Sequence, residues 1–206
     1  MEPVKEVCVE SYDEAIRAVS AGATRIELCD NLTVGGTTPS FGTIKKCLEK
    51  LPVPFTVMIR PRGGNFIYSA EEFEIMQEDI LQCKELGVYG VVFGLLDERG
   101  NIEEEKTRFL VQIAKPMQVT FHKAIDVSRN ILDGVAFLKE IQVNRILSSG
   151  GRDTALQGSG ILNRMIELAA PQITVIVAGK VTAENFEEIF RKIPSGEYHG
   201  RRLVTF

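Results

Sequence analysis

The sequence predicts an α/β fold, a (β/α)8 barrel of the TIM type with parallel strands, in which the last helix is truncated or absent. Short apolar segments alternate with amphipathic ones along the chain. Most of the apolar segments are nearly continuous runs, which is typical of parallel strands covered on both faces. Eight such segments are present, at residues 4–11, 24–30, 55–62, 90–96, 118–125, 144–150, 173–180 and 196–200.

The segments between these predicted strands show helical periodicity. One stripe of apolar side chains is formed by Phe73, Met76, Ile80 and Cys83. Ser69 and Glu72 precede this stripe with the spacing of a capping box, in which a hydroxyl and a carboxylate bind the first free N–H groups of a helix. Gly87 stands where this helix should end. We therefore expect a helix after each of the first seven strands.

Two architectures fit strict alternation of strand and helix, a doubly wound open sheet and a closed barrel. Eight strands favour the barrel, and no Gly-x-Gly-x-x-Gly turn follows the first strand to support a dinucleotide-binding sheet. The 206 residues form a single predicted domain, 1–206, which is shorter than the roughly 250 residues typical of this barrel. We expect no room for an eighth helix, so another element or a partner subunit must cover the last strand.

Composition excludes several function classes. The chain is 44% hydrophobic and 25% charged with a net charge of -4, so neither nucleic acid nor a membrane surface is an expected partner. No apolar stretch is long enough to cross a bilayer, and the N-terminus lacks a signal-peptide pattern, which predicts a cytoplasmic protein. The four cysteines form no CxxC pair and are expected to remain thiols. No motif for an organic cofactor is present.

Glutamate and cysteine alternate in the first two predicted strands. Glu6 precedes Cys8 by two residues, and Glu27 precedes Cys29 by two, so each pair shares one face of its strand. In a barrel these faces point inward, toward the carboxyl ends of the strands where active sites lie. Packing alone also explains buried cysteines, and the glutamates are equally consistent with structural ion pairs.

Cations and histidines follow other predicted strands. Arg60 and Arg62 end the third strand, and His122 ends the fifth, with Lys123 and Asp126 immediately beyond it. His199 belongs to the short last strand. A histidine at the end of a buried strand, next to a cation and an acid, favours a functional role.

Two glycine-containing turns are candidate anion sites. Ser148 and Gly150 lie in "SSGGRD" after the sixth strand, and Gly179 lies in "AGKVTAEN" after the seventh. Glycines at such turns let backbone N–H groups approach a phosphate or a carboxylate. They are also the simplest way to form a tight bend, and neither stretch matches the P-loop.

Seven stretches together resemble the CutC family, which is named for copper homeostasis. They are "RIELCDN", "GGTTPS", "MIRPRGGNFIYS", "VTFHKAID", "RILSSGG", "IVAGKVTAENF" and "EYHG". The resemblance runs from about Val4 to about Gly200, and it implies a cytoplasmic (β/α)8 barrel, commonly a homodimer, that handles copper. The family pattern carried over to this chain falls on Cys8, Glu27, Cys29, Arg60, Arg62, His122 and Asp126.

This chain also departs from the family pattern. Lys123 stands where arginine is usual, Lys180 interrupts a turn that is usually glycine-rich, and Arg99 replaces a usual acid. A final helical region is missing. Of these departures, the last bears most on the end of the predicted site at strand eight.

Two functional hypotheses follow from different classes of protein. In the first, Cys8 and Cys29 bind Cu(I), together with Met58 or His122, because Cu(I) prefers thiolate and thioether ligands. In the second, the barrel is an enzyme that performs acid/base chemistry on a small phosphate- or carboxylate-bearing substrate. Its anion would be bound by Arg60 and Arg62, with His199 as a further substrate-binding residue. Glu27 or His122 would be the general base, Lys123 a charge stabiliser and Asp126 a catalytic acid. A barrel without activity is a third interpretation.

Overall fold

The computed structural model describes residues 2–206 and shows eight parallel strands that close into one barrel in sequence order. The last strand pairs with the first, so the barrel leaves no free sheet edge. The strands are β1 (Val4–Val9), β2 (Arg25–Leu28), β3 (Phe55–Met58), β4 (Gly90–Phe93), β5 (Gln118–Phe121), β6 (Arg145–Ser148), β7 (Thr174–Val177) and β8 (Glu197–His199). The predicted fold class is confirmed.

Seven α-helices connect these strands within residues 2–206, and none follows β8 there. They are α1 (Tyr12–Ser20), α2 (Phe41–Lys50), α3 (Ala70–Leu86), α4 (Glu104–Ala114), α5 (Ile131–Glu140), α6 (Ser159–Ala169) and α7 (Phe186–Lys192). Within the described residues, none of these helices combines the length and the apolar character that crossing a bilayer requires. The capping box of Ser69 and Glu72 is present at the start of α3, and Gly87 ends that helix with a left-handed backbone.

The observed strands are shorter than the predicted segments because sheet pairing stops where the loops begin. The third segment was expected to extend to residue 62, but β3 ends at Met58. Beyond it, the backbone N–H of Arg60 donates to Thr38 Oγ1 at 2.9 Å instead of to a strand. Pro61, which follows, has no N–H to donate.

The main apolar core lies between the barrel and the helices. Outward-facing strand residues such as Val7, Ile26 and Phe121 pack there with helix residues such as Met76 and Leu110. Since side chains alternate between the two faces of a strand, the residues between these apolar ones point into the barrel. The interior therefore receives the polar and charged residues of the strands.

The outer face of β8 is covered by α7. Tyr198 is fully buried, and its ring lies 5.2 Å from that of Phe186 and 5.8 Å from that of Phe190. The Tyr198 hydroxyl donates to the carbonyl of Ile193 at 2.8 Å. A helix of the same chain therefore covers β8, whereas the sequence also allowed a partner subunit to do so.

A buried charge network occupies the amino-terminal half of the barrel. Arg25 of β2 donates from Nε to Glu6 of β1 and from Nη2 to Glu197 of β8. Arg145 of β6 donates from Nε to both oxygens of Glu197, at 3.0 and 3.1 Å. Four strands are thereby linked across the barrel interior, including the β1–β8 seam where the barrel closes.

Replacement of Arg25 by methionine is expected to lower the free energy of unfolding by about 3–5 kcal/mol, because Glu6 and Glu197 would remain buried without their shared partner. Denaturant unfolding measures this change. Arg108→Met is the matched control, since it breaks an ion pair with Glu140 in which the side chains are 50% and 66% exposed. The control should cost less than about 1 kcal/mol. Equal stabilities for the two variants would contradict a structural role for the buried network.

Candidate functional site

Three buried side chains meet above the charge network. Cys8 of β1, Glu27 of β2 and His199 of β8 each offer one ligand atom, and these atoms lie within 4.8 Å of one another. The side chains come together because β2 and β8 are the two neighbours of β1 in the closed barrel. A thiol, a carboxylate and an imidazole at such spacing form a candidate metal site.

Glu6 orients the imidazole of His199. Its Oε1 lies 2.8 Å from His199 Nδ1. Burial raises the pKa of Glu6, but Arg25 and His199 outweigh this effect and lower it to about 2, so the carboxylate is ionised. Because an ionised carboxylate only accepts hydrogen bonds, Nδ1 carries the proton and donates it. The other nitrogen, Nε2, then lies 3.8 Å from Glu27 Oε2.

The pKa of His199 is held well above its ordinary value. Burial alone would lower it, but attraction to Glu27 and interactions with Cys8 and Glu6 reverse that effect. We therefore infer that the imidazole of His199 is protonated and carries a positive charge next to Glu27. A second cation in the same position would have to displace that proton.

Cys29 lies beside this group but is not one of the three. Its thiol donates a weak hydrogen bond to Glu27 Oε2 across 3.6 Å. Its sulfur packs with Met58 and Val92 in a small apolar cluster inside the barrel. Burial, with a further contribution from the charge of Glu27, keeps the pKa of Cys29 well above its ordinary value. Cys29 is therefore a neutral thiol in the isolated chain.

A cavity of about 160 Å³, here called the inner cavity, opens directly onto the three residues. Its lining includes Cys8, Glu27, His122, Lys123 and His199. Two buried polar atoms of these residues, Glu27 Oε1 and His122 Nε2, have no hydrogen-bond partner among the described residues. Buried polar groups are nearly always paired, so these two atoms are candidates for contact with a ligand.

His122 is fixed as a neutral imidazole. Its Nδ1 accepts a hydrogen bond from the backbone N–H of Ala124 at 3.2 Å, so the proton resides on Nε2. The ring lies 4.9 Å from that of Phe66, and a side chain at Gly94 would collide with it. Burial, with a smaller contribution from the charge of Arg60, lowers the pKa of His122 to about 3.

The two predicted anion-binding arginines hold loops. Arg60 donates from Nη1 to the carbonyls of Val34 and Gly36 and from Nη2 to that of Gly64, at 2.7–3.0 Å. Arg62 pairs with Glu72 and donates to three backbone carbonyls of the loop that follows it. Most of their donors are therefore engaged within the chain, although Arg60 also lines the barrel mouth.

The "SSGG" turn already binds a carboxylate, that of Asp126. Ser148 Oγ donates to it at 2.5 Å, and the backbone N–H groups of Ser149 and Gly151 donate at 2.9–3.1 Å. Gly150, with a φ of 68°, approaches the backbone of the turn that precedes α6 too closely for a Cβ atom. The predicted catalytic acid and the predicted anion-binding turn are thus partners of each other.

Gly179 is required by packing. A Cβ atom there would lie 2.7 Å from Ser149 Cβ and 2.8 Å from the backbone nitrogen of Ala155. Its φ of 102° also lies in the region that favours glycine. Gly179 nevertheless lines the barrel mouth next to Lys123 and His199.

Nearly the whole chain matches the sequence model of a known family. The sequence model of the CutC family covers residues 4–203. The chain belongs to the CutC family. A copper homeostasis protein cutC homolog from Homo sapiens is 41% identical over 194 residues, which are 94% of this chain and 71% of that protein. A CutC family protein from Enterococcus faecalis is 38% identical over 208 residues, covering 98% of this chain and 100% of the relative.

Solved structures give the same result. The crystal structure of a CutC protein from Streptococcus agalactiae superposes with a TM-score of 0.93 at 35% identity, covering 98% of this chain and 100% of that one. Dihydrodipicolinate synthase DapA-2 from Bacillus anthracis superposes with a TM-score of 0.67 at 13% identity, over 97% of this chain and 70% of that enzyme. The second likeness concerns the barrel fold alone.

Sequence reasoning missed the role of Arg25 and Arg145. Both lie at the start of predicted strands, and Arg25 shares its strand face with Glu27, so alternation could have placed it inside the barrel. Both arginines pair with Glu197, which lies far from each of them in the sequence. No local pattern carries that information.

The neutral state of His122 predicts a pH dependence of stability. In the unfolded chain its imidazole binds a proton near pH 6.5, but in the folded protein only near pH 3. Between these values the unfolded state binds more protons, so acidification lowers the free energy of unfolding by up to about 1.4 kcal/mol per pH unit.

His122→Asn removes this contribution, so the stability of the variant should fall less steeply below pH 6.5 than that of the wild type. Urea unfolding at a series of pH values measures both slopes. Subtracting one slope from the other removes the contribution of the carboxylates that the two proteins share. Parallel stability curves from pH 6.5 to pH 4 would show that His122 is not held neutral.

Proposed function

We propose that this CutC-family protein acts in cytoplasmic copper homeostasis and binds Cu(I), as cargo, at Cys8, His199 and Glu27. The observation that carries the proposal is the hydrogen bond from His199 to Glu6, which leaves Nε2 facing the group formed with Cys8 and Glu27. Metal-ligating histidines typically donate their other ring N–H to a carboxylate in this way. The human relative is named for copper homeostasis, which supports the choice of metal.

The donor set fits Cu(I). Sulfur from Cys8 is a soft ligand and imidazole from His199 is a good ligand for copper, whereas the carboxylate of Glu27 is hard and contributes mainly charge. Cys29 offers a second sulfur next to the group, since its thiol contacts the same Glu27 carboxylate. The proposal therefore keeps both cysteines that the sequence predicted and adds His199 as the nitrogen ligand.

The charge of the interior also supports a bound cation. Along the eight strands three buried carboxylates, Glu6, Glu27 and Glu197, face two guanidinium groups, those of Arg25 and Arg145. One negative charge remains for a single additional cation to balance. A proton on His199 does this in the isolated chain. In the loaded protein Cu(I) would balance the Cys8 thiolate, and protonation of Glu27, whose pKa is raised by burial, would balance the remaining charge.

Cys8→Ser is expected to weaken Cu(I) binding by at least about 100-fold, because Cys8 supplies the principal soft ligand. Loss of a residue that only hydrogen-bonds to a metal ligand typically weakens binding by about 10- to 100-fold. Titration against a competing chromophoric chelator under anaerobic conditions measures the affinity. Cys29→Ser should weaken binding less, since Cys29 lies outside the group of three.

Cys47→Ala is the matched control because Cys47 is buried on α2, outside the barrel interior. It should bind Cu(I) as the wild type does. If the Cys8→Ser, Cys29→Ser double variant retained wild-type affinity, the copper proposal would be wrong.

A second candidate function is acid/base catalysis on a small phosphate- or carboxylate-bearing substrate. The unpartnered atoms Glu27 Oε1 and His122 Nε2 favour it, because both residues line the inner cavity. Burial raises the pKa of Glu27 above its ordinary value, which favours a carboxyl group that binds and releases a proton during catalysis. His122 would donate a hydrogen bond to the substrate as a neutral imidazole, and Lys123 would stabilise negative charge.

A panel of small carboxylic and phosphoric acids should contain a compound that raises the melting temperature of the wild type, since a ligand of the native state stabilises it. Glu27→Gln should reduce that shift by removing the proton-exchanging group. Cys47→Ala should preserve it. If every compound shifted wild type and Glu27→Gln equally, a substrate pocket at Glu27 would be excluded.

We also propose that the protein works as a homodimer, as the family resemblance implies. Phe41 and Leu48 of α2 are 46% and 37% exposed and lie two helical turns apart, on the same side of the helix. Exposed apolar side chains that share one face support an interface with a second copy.

A further inference from the structure

The barrel mouth extends well beyond the inner cavity. Two larger cavities, of about 500 and 630 Å³, open beside it. Lys123 lines all three cavities, and His199 lines both the inner cavity and the 500 Å³ cavity. The three cavities are therefore neighbouring parts of one opening above Cys8, Glu27 and His199.

The 500 Å³ cavity, here called the β7–β8 lobe, is lined mainly by the loops that follow β7 and β8, together with Lys123, Asp153 and His199. Besides the imidazole, four lysine and arginine side chains contribute to it, against one acidic side chain, Asp153. The cations are Lys123, Lys180, Arg201 and Arg202. Since the whole chain has a net charge of -4, this positive charge is a local feature of the mouth.

These cations differ in how far they are already paired. Arg201 forms ion pairs with Glu10 and Glu14, and Lys123 lies 3.7 Å from Asp126. Within the described residues, no ion pair within 4 Å is formed by Lys180 or Arg202. The lobe thus presents cationic donors that remain available to an anion.

Lys180 occupies a position where glycine would be less strained. Its φ of 55° is left-handed, which costs a residue with a Cβ atom roughly 1 kcal/mol. The side chain of Asn185 fixes the loop, donating to the carbonyl of Lys180 at 2.8 Å and accepting from the N–H of Thr182 at 2.8 Å. The backbone conformation at residue 180 favours glycine. The presence of a lysine there is therefore explained by its charge.

We propose that the β7–β8 lobe binds the phosphate group of a small phosphomonoester, with Lys180, Lys123 and Arg202 as its cationic donors. The loops after strands seven and eight form the phosphate site of many barrels of this fold. A phosphate dianion gains charge-assisted hydrogen bonds from several cations at once. The remainder of the molecule then extends through the shared opening toward His199 and Glu27.

This proposal deepens the second candidate function, because it names a phosphomonoester as the ligand and shares Lys123 with it, but its test is phosphate binding and requires neither copper nor turnover. The lobe includes the turn after the seventh strand, around Gly179, that the sequence predicted as an anion site, but not the other predicted anion-binding residues. Arg60 and Arg62 hold loops, and the turn at Ser148 binds Asp126, whereas Lys180 has no such partner among the described residues.

Calorimetric titration with inorganic phosphate and with glycerol 3-phosphate tests the site. We expect saturable binding of both, with the organic ester bound more tightly because it also fills the adjoining opening. Lys180→Gly should weaken both affinities by about tenfold, equivalent to about 1.4 kcal/mol. The same variant should melt no lower than the wild type, since glycine relieves the left-handed backbone.

Lys50→Ala is the matched control, as it removes one positive charge from the exposed end of α2, away from the mouth. It should change either affinity less than twofold. Equal affinities in Lys180→Gly and Lys50→Ala would overturn the proposal, as would calorimetric heats that sodium chloride reproduces at equal ionic strength.

Two further outcomes concern the source of the phosphate. Tighter binding of inorganic phosphate than of glycerol 3-phosphate would overturn the assignment to an organic ester. Vesicles of phosphatidic acid should not compete with glycerol 3-phosphate, because the lobe is concave. Competition by the vesicles would overturn the assignment to a small molecule.

Discussion

The contact of Arg25 with Glu6 and Glu197 is the interaction on which the rest of the structure depends. It crosses the β1–β8 seam, where a barrel of eight strands must close. Buried ion pairs contribute little net stability compared with apolar packing, but losing one partner leaves an uncompensated charge in the interior. The network therefore favours one particular closure of the barrel over alternatives that would separate these charges.

The same network prepares the candidate site. Glu6 pairs with Arg25 through one oxygen and accepts the Nδ1–H of His199 through the other. Its low pKa fixes the tautomer of His199, and the imidazole then directs Nε2 toward Cys8 and Glu27. Stability and function are coupled at this point, because the group that holds the seam together also orients the proposed metal ligand.

The group of Cys8, Glu27 and His199 lies deeper in the barrel than three cations that surround the mouth, Lys123, Lys180 and Arg202. The proposed cation site therefore lies beneath the proposed anion site, with Lys123 and His199 at the boundary between them. An anionic molecule bound at the mouth would cover the deeper group and shield it from water, which strengthens electrostatic interactions there.

The sequence by itself determined the barrel and the inward direction of Glu27, Cys29 and Cys8. Alternation of strand and helix and the two-residue period of a strand are local properties, so they can be read without coordinates. Only the tertiary structure decided which strand-end residues meet. His199 joins Cys8 because β8 closes onto β1, bringing Glu6 and His199 together from 193 residues apart. Asp126 is likewise satisfied by a turn more than 20 residues away. Such pairings depend on strand stagger and on competition among distant hydrogen-bonding groups, and neither leaves a periodic trace in the sequence.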